Sequence, residues 1–249
     1  MFPRMRNIRL LLEYDGTAYH GWQRQKNALT IQEVVETALA KLTGEAVKVL
    51  GSGRTDAGVH AWGQVANFKT ASHIPLKAFY AGLNSLLPRD IAVLDAAEAP
   101  LDFHARKSAR AKTYEYRILN RKEPSPLNRR YAWVVRQSLH MAAMAQAAAV
   151  LPGEHDYSAF RASGGRPGSA VRQVQAAAWQ QGEGGRLRFS ITANGFLRGM
   201  VRSLVGTMVE IGRGQRPPED LSGLLASGDR AGAGPTAPAQ GLFLVEVIY

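Results

Sequence analysis

Ten consecutive residues hold the densest chemistry in the chain: Gly51-Ser52-Gly53-Arg54-Thr55-Asp56-Ala57-Gly58-Val59-His60. Three glycines in eight positions let a backbone bend where a side chain would obstruct it. Asp56 is the only acid among them, and Arg54 lies two residues away. A neighbouring guanidinium lowers a carboxyl pKa and keeps the group ionised. An ionised carboxylate in a loop can attack an electrophilic carbon or take up a proton. The same aspartate is also what an Asx-turn at a hairpin uses. His60 can serve as a base, although a histidine at a strand entrance is more often structural. The glycine pattern is not a phosphate loop, because it lacks the Gly-Lys-Ser/Thr ending and opens no helix.

Three further groups merit the same weighing. Tyr114 lies in Arg110-Ala111-Lys112-Thr113-Tyr114-Glu115-Tyr116, on a strand among cations. It reads as a half-buried strand residue, or as a ring on which a base stacks. Arg198 and Arg202 fall one turn apart on an otherwise apolar helix, where a guanidinium must pair or reach water. Asp56 is one acid able to pair with Arg202, and snorkelling at the helix edge is the alternative. Asp102-Phe103-His104-Ala105-Arg106 reads as a loop anchor or as a nucleic-acid contact, and spacing does not choose between them.

The elements that must position these groups follow from periodicity. Ile8–Tyr14 reads as a strand closed by Asp15-Gly16, and Gly21–Asn27 as a polar, basic loop. Thr30 and Glu33 form a capping box for a helix carrying Ile31, Val34, Val35, Ala38, Leu39 and Leu42, ended by Gly44. Ala46–Leu50 and Gln64–Phe68 are strands on either side of the glycine loop. Pro75 opens a second helix through Leu76, Phe79, Leu83 and Leu86, and Ile91–Ala97 is a strand. The second half repeats the order. Lys112–Leu119 is a strand with Tyr114, Tyr116 and Ile118 on one face. Ser138 caps an alanine-rich helix running to Leu151 and stopped by Pro152-Gly153. Val171–Gln180 and Arg186–Ala193 form a hairpin over Gly182–Gly185. Asn194 caps a helix bearing Met200, Val201, Leu204, Val205, Met208 and Ile211. A short helix near Pro217–Ala226 and a last strand, Leu242–Tyr249, complete it. Two β-α-β-β-α-β runs predict an α+β fold of tandem ferredoxin-like halves with antiparallel sheets, residues 1–105 and 106–249, and a cleft between them.

The chain has 249 residues and a formal net charge of +11. A polyanion such as nucleic acid, or an anionic membrane surface, is the partner such a charge favours. Arginine carries most of it, which suits bidentate contacts to phosphate. No cysteine is present, so disulfides and thiolate chemistry are excluded. The six histidines show no ligand spacing, and no metal site is expected. No apolar run reaches the roughly 18 residues a membrane span needs. The basic start, Met1–Arg6, is followed by no signal-peptide core, since Arg9, Glu13 and Asp15 interrupt the apolar stretch. A soluble cytoplasmic protein is expected.

Gly53-Arg54-Thr55-Asp56-Ala57-Gly58-Val59-His60-Ala61 closely resembles the catalytic motif of the TruA family of tRNA pseudouridine synthases. The resemblance continues in order along nearly the whole chain. It takes in Glu13-Tyr14-Asp15-Gly16-Thr17 and Gly21-Trp22-Gln23-Arg24-Gln25, then Phe103-His104-Ala105-Arg106, Lys112-Thr113-Tyr114-Glu115-Tyr116 and His155-Asp156-Tyr157-Ser158-Ala159-Phe160. It closes with Met200-Val201-Arg202, Val205-Gly206, Thr236-Ala237-Pro238-Ala239 and Gly241-Leu242.

The resemblance implies the pseudouridine synthase fold, a homodimer, no cofactor and no metal. It implies isomerisation of uridines 38, 39 and 40 in the anticodon stem-loop of tRNA. Asp56 matches the catalytic aspartate, Tyr114 the tyrosine that stacks on the target uracil, and Arg202 the residue pairing with the aspartate. Arg54 matches the arginine that holds the flipped-base site open. Arg24, Lys26, His60, Arg106 and Arg110 are further expected RNA contacts. Two rivals explain less. A binding module of tandem RNA-recognition folds accounts for the charge, but calls for aromatic motifs on central strands that the sequence does not carry. A methyltransferase calls for a cofactor-binding glycine fingerprint after a strand, and none follows one here.

Overall fold

The computed structural model describes residues 5–164 and 168–249. The first four residues, where the basic start was read, lie outside the described part. The fold is mixed α+β, with strands that pair mostly antiparallel, and the chain packs as two compact units. The first takes in everything up to Arg110 together with Leu244–Tyr249; the second runs from Ala111 to Phe243.

In the first unit β1 (Arg6–Tyr14) alternates as a half-buried strand must, with Ile8, Leu10, Leu12 and Tyr14 inside. It lies between β3 (His60–Thr70) and β4 (Ile91–Ala99), antiparallel to both. β3 is buried along almost its whole length, flanked by β1 and by the end of β10 (Leu242–Ile248). Helix α1 (Ile31–Thr43) starts as its sequence predicts, with Thr30 accepting from the Glu33 amide, and ends at Gly44 with φ 74°. Helix α2 (Leu76–Leu86) follows Pro75 and sets Phe79 edge-on to Phe68 of β3, ring centroids 5.5 Å apart.

The predicted strand 46–50 shrinks to β2 (Leu50–Gly51), paired with β3. The reason lies in α1. Glu36 Oε1 accepts from the Val49 amide at 3.0 Å, and Gln32 Nε2 donates to the Val49 carbonyl at 3.0 Å. Helix side chains take the backbone groups that a sheet partner would otherwise take.

In the second unit β5 (Ala111–Asn120) pairs antiparallel with β9 (Arg186–Ala193), which pairs with β8 (Val171–Gln181) and that in turn with β7 (Gly153–Asp156). The hairpin over Gly182–Gly185 forms as expected. β6 (Trp133–Val135), parallel to β5, and β7 were not foreseen. Helix α3 (Met141–Ala148) starts after His140, not at Ser138. The preceding residues are held extended: Leu139 N donates to Asn120 Oδ1 and His140 N to the Gly212 carbonyl. Helix α4 (Met200–Gly212) starts after Gly199, which has φ 70°. Asn194, the expected cap, instead accepts from the Gln173 amide at 3.1 Å. Arg198 therefore precedes α4 and donates to the Ser163 carbonyl, so the two arginines do not share a helix. Helix α5 (Asp220–Ser227) forms where a short helix was expected.

Candidate active site

In the first unit the glycine loop is pinned on both sides of Asp56. Gln64, a polar residue inside β3, accepts from Ser52 Oγ at 2.6 Å and donates to the Gly53 carbonyl at 3.0 Å. Tyr14, at the end of β1, shares a 2.9 Å hydrogen bond with Thr55 Oγ1. Burial pushes the Tyr14 phenol up to about 12, against the hydrogen bonds of Thr55 and Gln64, so it stays a neutral hydroxyl. Trp22 N donates to the Thr55 carbonyl at 3.1 Å and Gly58 N to the Tyr19 carbonyl at 3.3 Å. The turn closes by Val59 N donating to the Asp56 carbonyl at 3.1 Å, with Gly58 at φ 76°. Asp56 is thus half-buried at the head of a turn whose backbone has little freedom.

Two early segments form the wall of this loop. A Cβ at Gly16 would overlap the Val59 carbonyl, and one at Gly51 would run into the Trp22 ring. Gly21, at φ 85°, lies against the Thr55 carbonyl. The Asp15-Gly16 and Gly21-Trp22 pairs are therefore spaced by the packing needs of the Asp56 loop. Asp15 folds onto Thr17, accepting from its amide at 3.0 Å.

His60 is a correction. It is 1 % exposed, so no surface-docked RNA reaches its ring. Its Nδ1 accepts from the Gly16 amide at 3.1 Å and lies 3.1 Å from the Asp15 carboxylate. The loop stands on it. Arg54 is exposed, and its Nε donates to Gln23 Oε1 at 3.1 Å. Lys26, Arg106 and Arg110 are exposed on the first unit. Arg24 is exposed too, but its guanidinium lies 3.2 Å from Glu36 and 3.8 Å from Glu33.

The segment from Asp102 to Arg106 has its backbone role settled. Asn7 Nδ2 donates to the Pro100 and Phe103 carbonyls, and Asn67 Oδ1 accepts from Ala105 N. Tyr249 donates to the Ala105 carbonyl at 2.7 Å, and its ring lies 5.0 Å from that of Phe103. Two buried asparagines and the last tyrosine anchor the loop, leaving Arg106 outward.

In the second unit Tyr114, Tyr116 and Ile118 share the buried face of β5, as expected. Tyr114 is 7 % exposed, and Phe196 meets its ring edge-on at 4.9 Å and 79°. Arg202 Nε donates to the Ala237 carbonyl at 2.7 Å, while Ala237 N donates back to the Arg202 carbonyl at 3.0 Å. Tyr116 donates to the next carbonyl, Pro238, at 2.8 Å; burial drives its phenol upward while the nearby Arg202 charge opposes this. The Thr236-Ala237-Pro238 loop thus ties the helix of Arg202 to the strand of Tyr114. Gly206 lets the loop close, since a Cβ there would overlap the Pro235 carbonyl.

Residue-by-residue reading of the sequence missed the supports: Tyr14, Ser52, Gln64, Gln32 and Phe196. A usable signal existed for two of them. Gln64 interrupts an apolar strand at a buried position, and Gln32 lies on the buried stripe of α1 beside Ile31 and Val35. A polar side chain there must be hydrogen-bonded to something.

Residues 11–106 and 147–249 match the family model described as tRNA pseudouridine synthase. A tRNA pseudouridine synthase A of Geotalea uraniireducens (strain Rf4) is 50% identical over 245 residues, covering 98% of this chain and 100% of that protein. The protein of the same name from Syntrophotalea carbinolica is 51% identical over 248 residues, covering 97% and 96%. That of Myxococcus xanthus is 49% identical over 245 residues, covering 98% and 92%.

Proposed function

This chain belongs to the tRNA pseudouridine synthase family, and from that premise we propose that it isomerises uridine to pseudouridine at positions 38, 39 and 40 of the tRNA anticodon stem-loop. The observation that carries the reading is the Asp56 loop: a half-buried carboxylate at a turn whose backbone is pinned on either side. In the reaction the bond from uracil N1 to C1′ breaks, the uracil turns while retained, and C5 bonds to C1′. C5 then gives up its proton and N1 gains one, so the product is an isomer and no cofactor is consumed. The Asp56 carboxylate attacks C1′, or assists loss of the C2′ proton to form a glycal; both routes use the same carboxylate.

Arg202 supplies the charge opposing that carboxylate, with Ala237 orienting its Nε. Tyr114 stacks on the detached uracil. Arg54 holds open the site of the flipped base, whose unstacking costs a few kcal/mol. Lys26, Arg106 and Arg110 meet phosphates and offset that cost. Shape and backbone recognition allow neighbouring positions to be served by one site. The reading includes tandem ferredoxin-like halves, 1–105 and 106–249, with a basic cleft, and what supports it is the ferredoxin-like order of the first unit. Its elements run β-α-β-β-α-β, and its strands order β4-β1-β3 with β2 on β3. Among the described residues no helix is long and apolar enough to cross a membrane. The reading includes a cytoplasmic homodimer.

Incubation with an unmodified tRNA bearing U38–U40, with pseudouridine mapped by chemical probing, tests the activity. Asp56→Asn and Asp56→Ala are expected to give no product while binding tRNA nearly as well as the parent, because phosphate contacts dominate affinity. Substantial turnover by Asp56→Ala sinks the assignment.

A further inference from the structure

Arg54 is reached from the protein interior through a chain of side-chain amides. Glu36 and Gln32 lie one turn apart on α1, 8 % and 4 % exposed. Glu36 accepts three hydrogen bonds: from Val49 N at 3.0 Å, Gln32 Nε2 at 2.9 Å and an Arg24 guanidinium nitrogen at 3.2 Å. Gln32 Nε2 also donates to the Val49 carbonyl at 3.0 Å. A carboxylate oxygen and a carbonyl at one end of the amide require nitrogen there. The Gln32 oxygen must then face the other way. It accepts from Arg24 N at 3.0 Å and from Gln23 Nε2 at 2.7 Å. The rule repeats at Gln23: with its nitrogen spent on Gln32, its oxygen is left for Arg54 Nε at 3.1 Å.

We propose that Gln23 and Gln32 are positioning residues for Arg54. Glu36 sets the polarity of an amide relay that presents an acceptor, never a donor, to the Arg54 guanidinium. The proposal deepens the reading of Arg54 as the group that holds the flipped-base site, and rests on it. The physical need is plain. An exposed arginine on a loop has many rotamers, and holding one costs side-chain entropy. An anchor at Nε fixes the plane of the guanidinium. The relay also couples that plane to α1 and to Val49, on the strand side of the Asp56 loop.

Gln32 is buried and its variants risk misfolding, so half-exposed Gln23 is the place to test. Single-turnover rate on an unmodified tRNA transcript, tRNA Kd and Tm are measured for the parent, Gln23→Ala, Arg54→Ala and the double variant. The expected result is a single-turnover rate about tenfold lower for Gln23→Ala, the scale of a lost hydrogen bond to a charged group. Kd and Tm stay near the parent values. The double variant is no slower than Arg54→Ala alone, because Gln23 acts through Arg54. If Arg54→Ala is slow while Gln23→Ala keeps the full rate, or if the two losses multiply, the relay is overturned and the reading of Arg54 stands. If Arg54→Ala turns over at the parental rate, the reading of Arg54 fails and the relay with it.

Discussion

Tyr114, the ring proposed to stack on the uracil, is tightly held. At 7 % exposure it offers little to solvent, and the edge of Phe196 fixes its tilt. Tyr114→Phe keeps the ring face and loses one hydroxyl, so tRNA binding is expected to stay near the parent value. A slow single-turnover rate in that variant would assign the hydroxyl to proton transfer. Tyr114→Ala loses a stacking platform worth about 1–3 kcal/mol per base and leaves a cavity costing about 3–5 kcal/mol. Melting temperature and single-turnover rate read the two losses separately. A folded Tyr114→Ala protein with the parental rate would rule the ring out of the uracil site. The proposed site residues stand out in the sequence because each carries unusual chemistry for its setting: an acid among glycines, an arginine in an apolar helix. Tyr14 does not, because it matters only through a register that sets it beside the loop, and Gln64 signals a need for a partner without naming the loop as that partner.

Among elements, the turn at Asp56 depends on its neighbours' lack of side chains. Gly16→Ala is expected to push the Val59 carbonyl away and displace the loop, leaving the Asp56 carboxylate chemically intact but misplaced. Turnover should fall by about 100-fold, the scale of an ångström's misplacement, with a Tm drop of a few degrees. Full activity in Gly16→Ala would mean the loop adapts and its rigidity is unimportant. Caps and periodic helices were legible because their signals are local, as Thr30, Gly44 and Pro75 show. Boundaries were lost where tertiary partners decide. Val49 leaves the ladder for α1, and α3 waits for His140. β6 is three residues long and β7 is polar, both too brief for a period to register.

At the scale of the whole molecule, charge and buried phenols set the response to solvent. With a net charge of +11, tRNA affinity is expected to fall steeply with salt, the slope reporting the number of phosphates neutralised. Lys26→Ala or Arg106→Ala should each reduce that slope by about one contact, and a flat dependence would remove the basic surface from recognition. Alkali acts on stability instead. Burial pushes the phenols of Tyr14, Tyr19, Tyr116, Tyr157 and Tyr249 upward, with the Asp90 hydrogen bond and charge adding to it at Tyr19. The folded state therefore holds these protons more tightly than the unfolded chain. That stability is complete below about pH 10, the unfolded value, and is lost as pH rises through the folded ones. Tyr14 contributes across the window from 10.0 to about 12, at about 1.4 kcal/mol per pH unit. Tm should hold to about pH 9 and then drop, less steeply in Tyr14→Phe. Tyrosinate absorbance rising normally near pH 10, with Tm unchanged, would contradict this.

The strand that completes the first unit follows the whole second unit in the sequence. Residues 244–248 join β3, and Tyr249 closes onto the Ala105 carbonyl, yet all of residues 111–243 are translated in between. At ~5–20 residues per second that delay is on the order of ten seconds. During it the edge of β3 waits without its final neighbour, a template for unwanted pairing. The ribosome thus releases a nearly finished second unit while the unit bearing Asp56 is still open on one side. The sheet that carries the Asp56 loop is completed only when residues 244–248 arrive.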